Sequence, residues 1–293
     1  MKRTLWGFML LLGLAVPAGA KMQVVATLPW IGSVLREIGG DKIQVTMLVK
    51  PSQDPHMIEA KPGMILAARK ADALFFNGLD LEIGYVPLLI DSSRNPKIQP
   101  DKPGYFDCSR FVDPIEVPES VDRRQGDVHP LGNPHYHFSA PAVLKISEGM
   151  AQTLGQLDPA QAAWYQANAE AFAARLRAKQ ETWAVVPLQG KRFVAHHRMY
   201  EYLAKEYGFT ISGYVEPKPG IPPSSGYIET LLKSMEQSKP DGILVSPYSS
   251  KKEAAYISAQ TGVKVILLPH DVGAVPETGD YLAFINTVLE AVK

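Results

Sequence analysis

The sequence has little cysteine, no excess of one charge and no long apolar run beyond its first twenty residues. Cys108 is the only cysteine among 293 residues, which excludes an internal disulfide and favours a small buried side chain over a thiolate metal ligand. Lys plus Arg equals Asp plus Glu at 30 each, a balance that argues against a nucleic-acid partner. No segment after residue 20 is apolar for long enough to cross a bilayer.

The N-terminus has the pattern of a secretory signal peptide. Lys2 and Arg3 precede an apolar stretch over residues 5–16, and Ala18-Gly19-Ala20 supplies a small-x-small cleavage site. Removing residues 1–20 deletes two cations, so 28 cations face 30 anions and the mature net charge is −2. No cysteine lies at the cleavage site. We therefore expect a soluble protein in a bacterial periplasm rather than an acylated lipoprotein.

Strand-like and helix-like segments alternate along both halves of the chain, which predicts parallel sheets flanked by helices. The predicted strands are 23–27, 43–49, 73–76, 192–195, 209–215, 242–245 and 263–268. The predicted helices are 30–38, 62–70, 79–90, 199–207, 228–237, 251–260 and 281–292.

The longest helical segment, residues 158–187, lies between the two halves. Asp158 is expected to cap it, with Pro159 at its first position. About 25 helical residues would make a rod of about 40 Å, longer than a small domain needs. We therefore predict an α/β fold of two parallel-sheet lobes, 21–157 and 188–293, joined by one long rigid helix. The polar stretch 118–134 is predicted to be a mobile surface loop.

Three histidines and one aspartate are candidate metal ligands: His56, His135, His197 and Asp271. Three neutral imidazoles and one carboxylate suffice to bind a divalent transition metal. His56, His197 and Asp271 follow predicted strands, and parallel sheets collect ligands beyond the carboxyl ends of their strands. No pair has the spacing of a helical zinc motif, so distant segments would have to converge. Spacing alone leaves three choices open: His135 or His137, His196 or His197, and His270 or Asp271.

Several motifs resemble those of the zinc/manganese solute-binding proteins that serve ABC importers. The resemblance lies in Asp54-Pro55-His56-x-x-Glu59-x-x-Pro62, the segment 71–82, Asn133-Pro134-His135, the segment 197–208 and the segment 216–224. These motifs stand in the same order as in that family and cover nearly the whole mature chain.

The resemblance implies that metal is held in a cleft between the lobes by His56, His135, His197 and Asp271. It also implies an inner-membrane ABC import permease as the partner, a monomeric carrier and no enzymatic activity, with a periplasmic metallochaperone as a further expected contact. The chain departs from the family pattern in having Asn133 where Asp is usual and His137 where an aromatic is usual. The family's long His-rich loop is short here and holds only His129, for which we expect little effect on binding.

Zinc is the expected metal, because imidazole-rich sites suit Zn²⁺ whereas Mn²⁺ prefers oxygen ligands. The resemblance adds that manganese proteins tend to have a carboxylate where this chain has His197. The alternatives are a manganese carrier, a metal-dependent adhesin or chaperone, and a periplasmic zinc hydrolase with Glu59 or Glu216 as base. Four protein ligands would leave no position for a catalytic water, which disfavours the hydrolase. Binding should weaken below the ordinary histidine pKa of about 6.5.

Overall fold

The computed structural model of the chain describes residues 20–120, 129–218 and 220–293. Residues 1–19 of the predicted signal peptide and residues 121–128 of the predicted loop lie outside the described residues. Within the described ranges, no helix combines the length and apolar character needed to cross a membrane.

The described residues of the first half of the chain form four strands and four α-helices. In chain order they are β1 Met22–Ala26, α1 Pro29–Gly39, β2 Ile43–Met47, α2 Pro62–Lys70, β3 Ala73–Phe76, α3 Val86–Ser93, β4 Tyr105–Asp107 and α4 Ala140–Leu157. The linking helix and the second half follow as α5 Ala162–Trp183, β5 Arg192–Ala195, α6 Glu201–Tyr207, β6 Thr210–Tyr214, α7 Ser225–Ser238, β7 Gly242–Val245, α8 Lys252–Thr261, β8 Val265–Leu267 and α9 Tyr281–Val292.

Each half forms its own parallel sheet of four strands. The strand orders are β2-β1-β3-β4 and β6-β5-β7-β8, so the two sheets share one topology. Met22 pairs with Ile43 in the first sheet, and Arg192 pairs with Thr210 in the second. The predicted fold class is confirmed. Because all strands of a sheet run the same way, the loops at their carboxyl ends gather at one edge, which is where a ligand site is expected.

The linking helix α5 runs over 22 residues, or about 33 Å, and is shorter than predicted. A 3₁₀ turn, Pro159–Gln161, precedes it, and Asp158 does not cap it. Instead the carboxylate of Asp158 accepts a hydrogen bond from the Tyr165 hydroxyl at 3.2 Å.

Helix α5 is tied to both halves of the chain. Arg175 pairs with Glu37 of α1 at 2.6 Å, and the side-chain amide of Asn168 donates to the carbonyl of Ile38, which is also in α1. At its other end, the Trp183 indole N–H donates to Asn286 of α9 at 3.3 Å. The division into lobes at 157 and 188 stays a prediction.

Three departures from the predicted elements have local causes. The helix predicted over 79–90 begins only at Val86, because Leu79 and Asp80 have φ angles of 52° and 61°, which a helix cannot contain. Strand β4, three residues long, was too short to predict. Helix α4 was also missed, although Ser139 caps it and Pro141 lies in its first turn.

One apolar cluster runs through both halves of the molecule. It contains Trp30 and Phe75 from the first half, Phe172 of α5 and Phe284 of α9, all fully buried. Cys108 is fully buried within the same cluster, as its expected structural role requires. The second half also has a smaller apolar cluster of its own, around Val194 and Ile243. The shared core holds the two sheets against α5 and α9.

Gly149 of α4 should not tolerate a methyl group. A Cβ there would lie 2.4 Å from the Phe111 ring, whereas one at Gly63 of α2 would meet nothing within 4 Å. We expect Gly149→Ala to destabilise the protein by about 1–3 kcal/mol through overpacking. Gly63→Ala should stabilise it by up to about 1 kcal/mol through helix propensity. Denaturant unfolding measures both changes, and a gain from both substitutions would contradict the packing described here.

Candidate metal site

Three imidazoles from distant segments meet at one point. His56 lies in the 3₁₀ turn Pro55–Met57 after β2, His197 follows β5, and His135 immediately precedes the 3₁₀ turn Tyr136–Phe138 before α4. One ring nitrogen from each lies within 4.8 Å of the other two. The ring centroids are 5.2 Å apart for His56 and His135, 5.0 Å for His56 and His197, and 5.5 Å for His135 and His197. This spacing suits three ligands around a single ion.

Carboxylates orient two of the three rings. Asp54 lies 2.8 Å from Nδ1 of His56, and Glu216 lies 2.9 Å from Nδ1 of His197. An ionised carboxylate only accepts hydrogen bonds, so each Nδ1 carries the proton and each Nε2 keeps its lone pair. Carboxylate–histidine pairs of this kind orient the imidazoles that bind metals in proteins. Nε2 of His56 is buried and has no hydrogen-bond partner among the residues that the structure describes, so its lone pair could bind a cation.

The electrostatics of the pocket favour neutral rings. Burial, followed by the charges of His56 and His197, holds the pKa of His135 well below its usual value. Burial also lowers the pKa of His197, against the opposing hydrogen bond from Glu216. Burial works against ionisation of Asp54, but the hydrogen bond and charge of His56 outweigh it and lower the pKa of this carboxyl. The imidazoles of His135 and His197 are therefore available as ligands at neutral pH.

The backbone around His135 is held by the segment that follows β3. The carboxylate of Glu82 accepts hydrogen bonds from the Thr27 hydroxyl and from the main-chain N–H groups of Asn77 and Gly78. Asn77 in turn donates to the carbonyl of Pro134 at 3.0 Å, and the Tyr136 hydroxyl donates to the Asn77 carbonyl. Burial raises the pKa of Glu82 to about 7. The segment 71–82 therefore supports the main chain next to His135 and contributes no atom to the cluster of His56, His135 and His197.

His129, the loop histidine expected to have little effect on binding, lies beside the site. Its ring is 5.3 Å from that of His56 and 6.4 Å from that of His135, and its Nε2 is buried with no hydrogen-bond partner among the described residues. Burial and then the charges of His56 and His197 lower its pKa to about 3. Its nitrogens do not belong to the group within 4.8 Å. His129 therefore borders the three-histidine cluster from one side.

Asp271, the fourth predicted ligand, is buried but stands outside the group of ring nitrogens that lie within 4.8 Å of one another. Its Oδ1 accepts a hydrogen bond from the main-chain N–H of Val272 at 2.6 Å. Burial raises the pKa of this carboxyl well above its usual range. The structure thus brings together three of the four predicted ligands, and the role of Asp271 stays a prediction.

The structure also separates the neighbouring histidines that spacing left ambiguous. His137 turns away from the cluster and stacks between Trp30 and Phe284, with ring planes within 13° and 16° of parallel. Its Nε2 donates to the carbonyl of His270 at 2.8 Å. His196 is buried, and its Nδ1 is 3.8 Å from Glu216. The ring of His270 lies edge-on to Tyr248, with centroids 4.5 Å apart.

Neither carboxylate considered as a catalytic base is placed for that role. Glu216 is engaged with His197, and Glu59 is exposed to solvent. The orienting role of Asp54 was not predicted. A signal for it exists, because an Asp two residues before a histidine can accept a hydrogen bond from that residue's main-chain N–H, as Asp54 does at 3.0 Å.

Comparison with known families identifies the class of protein. Residues 24–293 match the family model described as ZnuA, zinc-uptake complex component A, periplasmic. The chain belongs to this family. The resemblance found in the sequence motifs is thereby confirmed.

Similar proteins of the ZnuA family include carriers named for other metals. The manganese ABC transporter substrate-binding lipoprotein PsaA of Streptococcus anginosus is 26% identical over 256 residues, covering 85% of this chain and 79% of that protein. The iron-binding protein YfeA of Yersinia pestis is 26% identical over 286 residues, covering 93% of this chain and 85% of that protein.

Solved structures share the fold. A crystal structure of ZnuA has a TM-score of 0.77 at 24% identity, covering 93% of this chain and 98% of that one. A cadmium-bound periplasmic metal-binding protein from Candidatus Liberibacter asiaticus has a TM-score of 0.74 at 22% identity, with the same coverage. At this level of identity the likeness shows the fold.

Family membership establishes the general class of function. The chain is an extracytoplasmic metal-binding component of an ABC importer, which works with a membrane permease. The family consists of substrate-binding proteins for transport, so a hydrolase is not indicated.

His137 should make the stability of the metal-free protein depend on acidity. Burial lowers its pKa to about 4, whereas an unfolded histidine titrates near its usual value of 6.5. The unfolded state thus binds this proton first, and stability falls as the pH drops from 6.5 to 4, by up to about 3 kcal/mol.

His137→Phe should remove this part of the pH dependence. The substitution keeps the stacking on Trp30 and Phe284 but loses the hydrogen bond to His270, which costs about 1 kcal/mol at neutral pH. Denaturant unfolding of both proteins between pH 7 and 4 gives the difference. If the stability of the two proteins changed equally with pH over this range, the assignment would be contradicted.

Proposed function

We propose that this chain captures Zn²⁺ in the periplasm and delivers it to an ABC-type import permease in the inner membrane. The observation that carries the proposal is the convergence of His56, His135 and His197, with carboxylates holding Nδ1 of two of the rings. Neutral imidazoles are good zinc ligands at neutral pH, and a pocket between the halves of the chain suits capture and later release.

The choice of zinc rests on the donor set. Three imidazole nitrogens suit Zn²⁺, whereas Mn²⁺ favours more oxygen ligands. The manganese alternative has support of its own, since the similar protein PsaA is named for manganese. Because Cu²⁺ and Ni²⁺ also bind nitrogen-rich sites tightly, affinity alone does not identify the physiological cargo.

Asp271 is the proposed fourth ligand. Burying an ionised carboxylate without a cation costs free energy, and the raised pKa of Asp271 reflects this cost. A bound divalent ion would offset it. His129 is the competing donor, because its buried Nε2 lies beside His56 and has no hydrogen-bond partner in the described part of the chain. Its place outside the cluster of three ring nitrogens supports a smaller contribution.

The proposed delivery of the metal follows from the positions of its ligands in the two halves of the chain. His56 and His135 belong to the first half, and His197 and Asp271 to the second, so a bound ion would cross-link the proposed lobes 21–157 and 188–293. The linking helix restricts hinge motion, and release is proposed to require the permease. For localisation we propose the periplasm, the compartment named in the description of the matching family, and a monomeric protein exported by the signal peptide. A metallochaperone is the proposed donor.

The ligand set can be tested by comparing three variants. His197→Ala and Asp271→Asn should each weaken zinc binding at least about tenfold, the scale on which metal-site residues act. His129→Ala should weaken it less. Titration calorimetry at pH 7 with a competing chelator measures all three affinities.

Two outcomes of that titration would revise the site. Equal losses for His197→Ala and His129→Ala would refute the assignment of the three-histidine cluster. An unchanged affinity in Asp271→Asn would remove Asp271 from the ligand set. Since burial lowers the pKa values of His135 and His197, protonation of these two residues should reduce the affinity only below the pH 6.5 expected for exposed histidines.

Metal content identifies the cargo. The protein purified from periplasm without added metal should contain one equivalent of zinc by mass spectrometry, and Zn²⁺ should displace Mn²⁺ in competition. Deletion of the gene should lower zinc accumulation by the cell. Manganese in the purified protein, together with normal zinc accumulation in the deletion strain, would establish the manganese alternative.

A further inference from the structure

Asn133 lies where the two halves of the chain meet behind the metal site, and every polar group it has is engaged. Its Oδ1 accepts from the main-chain N–H of His135 at 2.9 Å. Its Nδ2 donates to Glu116 at 3.0 Å and to Glu201 at 3.2 Å. Its main-chain N–H donates to the carbonyl of Ile115, and its carbonyl accepts from the Tyr202 hydroxyl at 2.9 Å. The residue is 5% exposed.

The partners of Asn133 connect it to the second half of the chain. Glu201 and Tyr202 form the first turn of α6. Glu116, from the first half, also accepts from Arg198 at 2.5 Å, and Arg198 directly follows the ligand His197. His135 and His197 are thus attached to one hydrogen-bond network.

Two further contacts hold the second half of this network in place. The Tyr214 hydroxyl donates to Glu201 at 2.7 Å, and the Arg198 guanidinium lies 4.3 Å from the centre of the Tyr214 ring. Glu116 has a φ of 53°, an unfavourable value for a residue with a side chain. Its neighbours must therefore hold it there.

Only an amide fits the position of Asn133. The side chain must accept a hydrogen bond on one side and donate two on the other, and a carboxylate has nothing to donate. An aspartate would also place a third carboxylate beside Glu116 and Glu201, where Arg198 is a facing cation. Asn133, the departure from the family's usual Asp noted in the sequence, is therefore matched to its neighbours in this chain.

We propose that Asn133 is a positioning residue that joins the two halves of the chain through Glu116 and Glu201 and thereby sets the separation of His135 and His197. The proposal rests on the proposed function, because its effect is measured at the metal site. Asn133 touches no metal in this scheme. It acts through the main chain of His135 and through the segment that begins at His197.

The test exchanges amide and carboxylate between two positions. Asn133→Asp should weaken zinc binding roughly tenfold, the scale of residues that orient metal ligands. Glu201→Gln should also weaken it, because a Gln side chain has one oxygen where the Glu201 carboxylate accepts from both Asn133 and the Tyr214 hydroxyl. In the double variant Asn133→Asp/Glu201→Gln, the amide of Gln donates to the carboxylate of Asp, so part of the affinity should return, while the contact with Glu116 stays lost. Competition with a chromophoric chelator measures the four affinities.

Two further measurements separate positioning from general destabilisation. The Co²⁺ absorption spectrum should shift in Asn133→Asp and return in the double variant, because it reports ligand geometry. Asn286→Asp in α9 is the matched control, since it makes the same charge change while its Oδ1 can still accept from Trp183. Its zinc affinity should stay within about twofold of wild type. Additive losses in the double variant, or no loss in Asn133→Asp, would overturn the proposal.

Failure of the proposed function can be distinguished from failure of the Asn133 network. If the wild-type protein bound no zinc, the proposed cargo would be wrong, but the network would still be measurable. Thermal unfolding of the four metal-free proteins should then show the same pattern, with a lower midpoint in each single variant and recovery in the double variant. The network would also be refuted if the midpoint temperature of the double variant fell by the sum of the decreases in the two single variants.

Discussion

The site depends on three imidazole rings staying neutral and correctly turned inside a buried pocket. A protonated ring cannot bind a cation, and a ring rotated by half a turn would present a C–H instead of the Nε2 lone pair. Burial meets the first requirement by disfavouring the charged form of His135 and His197. Asp54 and Glu216 meet the second by accepting from Nδ1 of two rings. The rest of the structure can be understood as the support for these two conditions.

The two sheets provide that support by bringing chain segments from both halves to a common edge. Parallel strands place the loops after β2 and β5 at the carboxyl ends of their sheets, and the core shared with α5 and α9 holds the sheets together. The main chain on either side of His135 is held separately, by Asn77 on one side and Asn133 on the other. Each ligand therefore has its own local anchor, and no single contact fixes all three.

A pocket of this kind suits carriage better than catalysis. Glu216, the carboxylate nearest to a ligand ring, is engaged in orienting that ring, and Glu59 points to solvent. Glu216 is therefore not free to accept a proton from a metal-bound water. Under the proposed function, selectivity comes from the donor atoms, because imidazole nitrogens favour zinc over manganese.

The sequence alone determined the class of fold, most of its strands and helices, and the histidines that come together. Alternation of apolar and polar residues is a local property, and strands such as Ala73–Phe76 and Arg192–Ala195 lie where that pattern predicted them. The motifs around His56 and His197 carried the family resemblance in the same way. The left-handed residues Leu79 and Asp80, which delay α3, have no comparable local signal.

Spacing left open which of two adjacent histidines faces the site, and only the tertiary structure gives the physical reason for the choice, because it depends on packing by distant residues. His135 and His137 are two positions apart, and His137 turns away because Trp30 and Phe284 enclose its ring. His129 reaches His56 although 73 residues of chain separate them, and Asn133 finds Glu201 on the other half of the molecule. Such contacts are set by how the two sheets meet, a property that no short stretch of sequence contains.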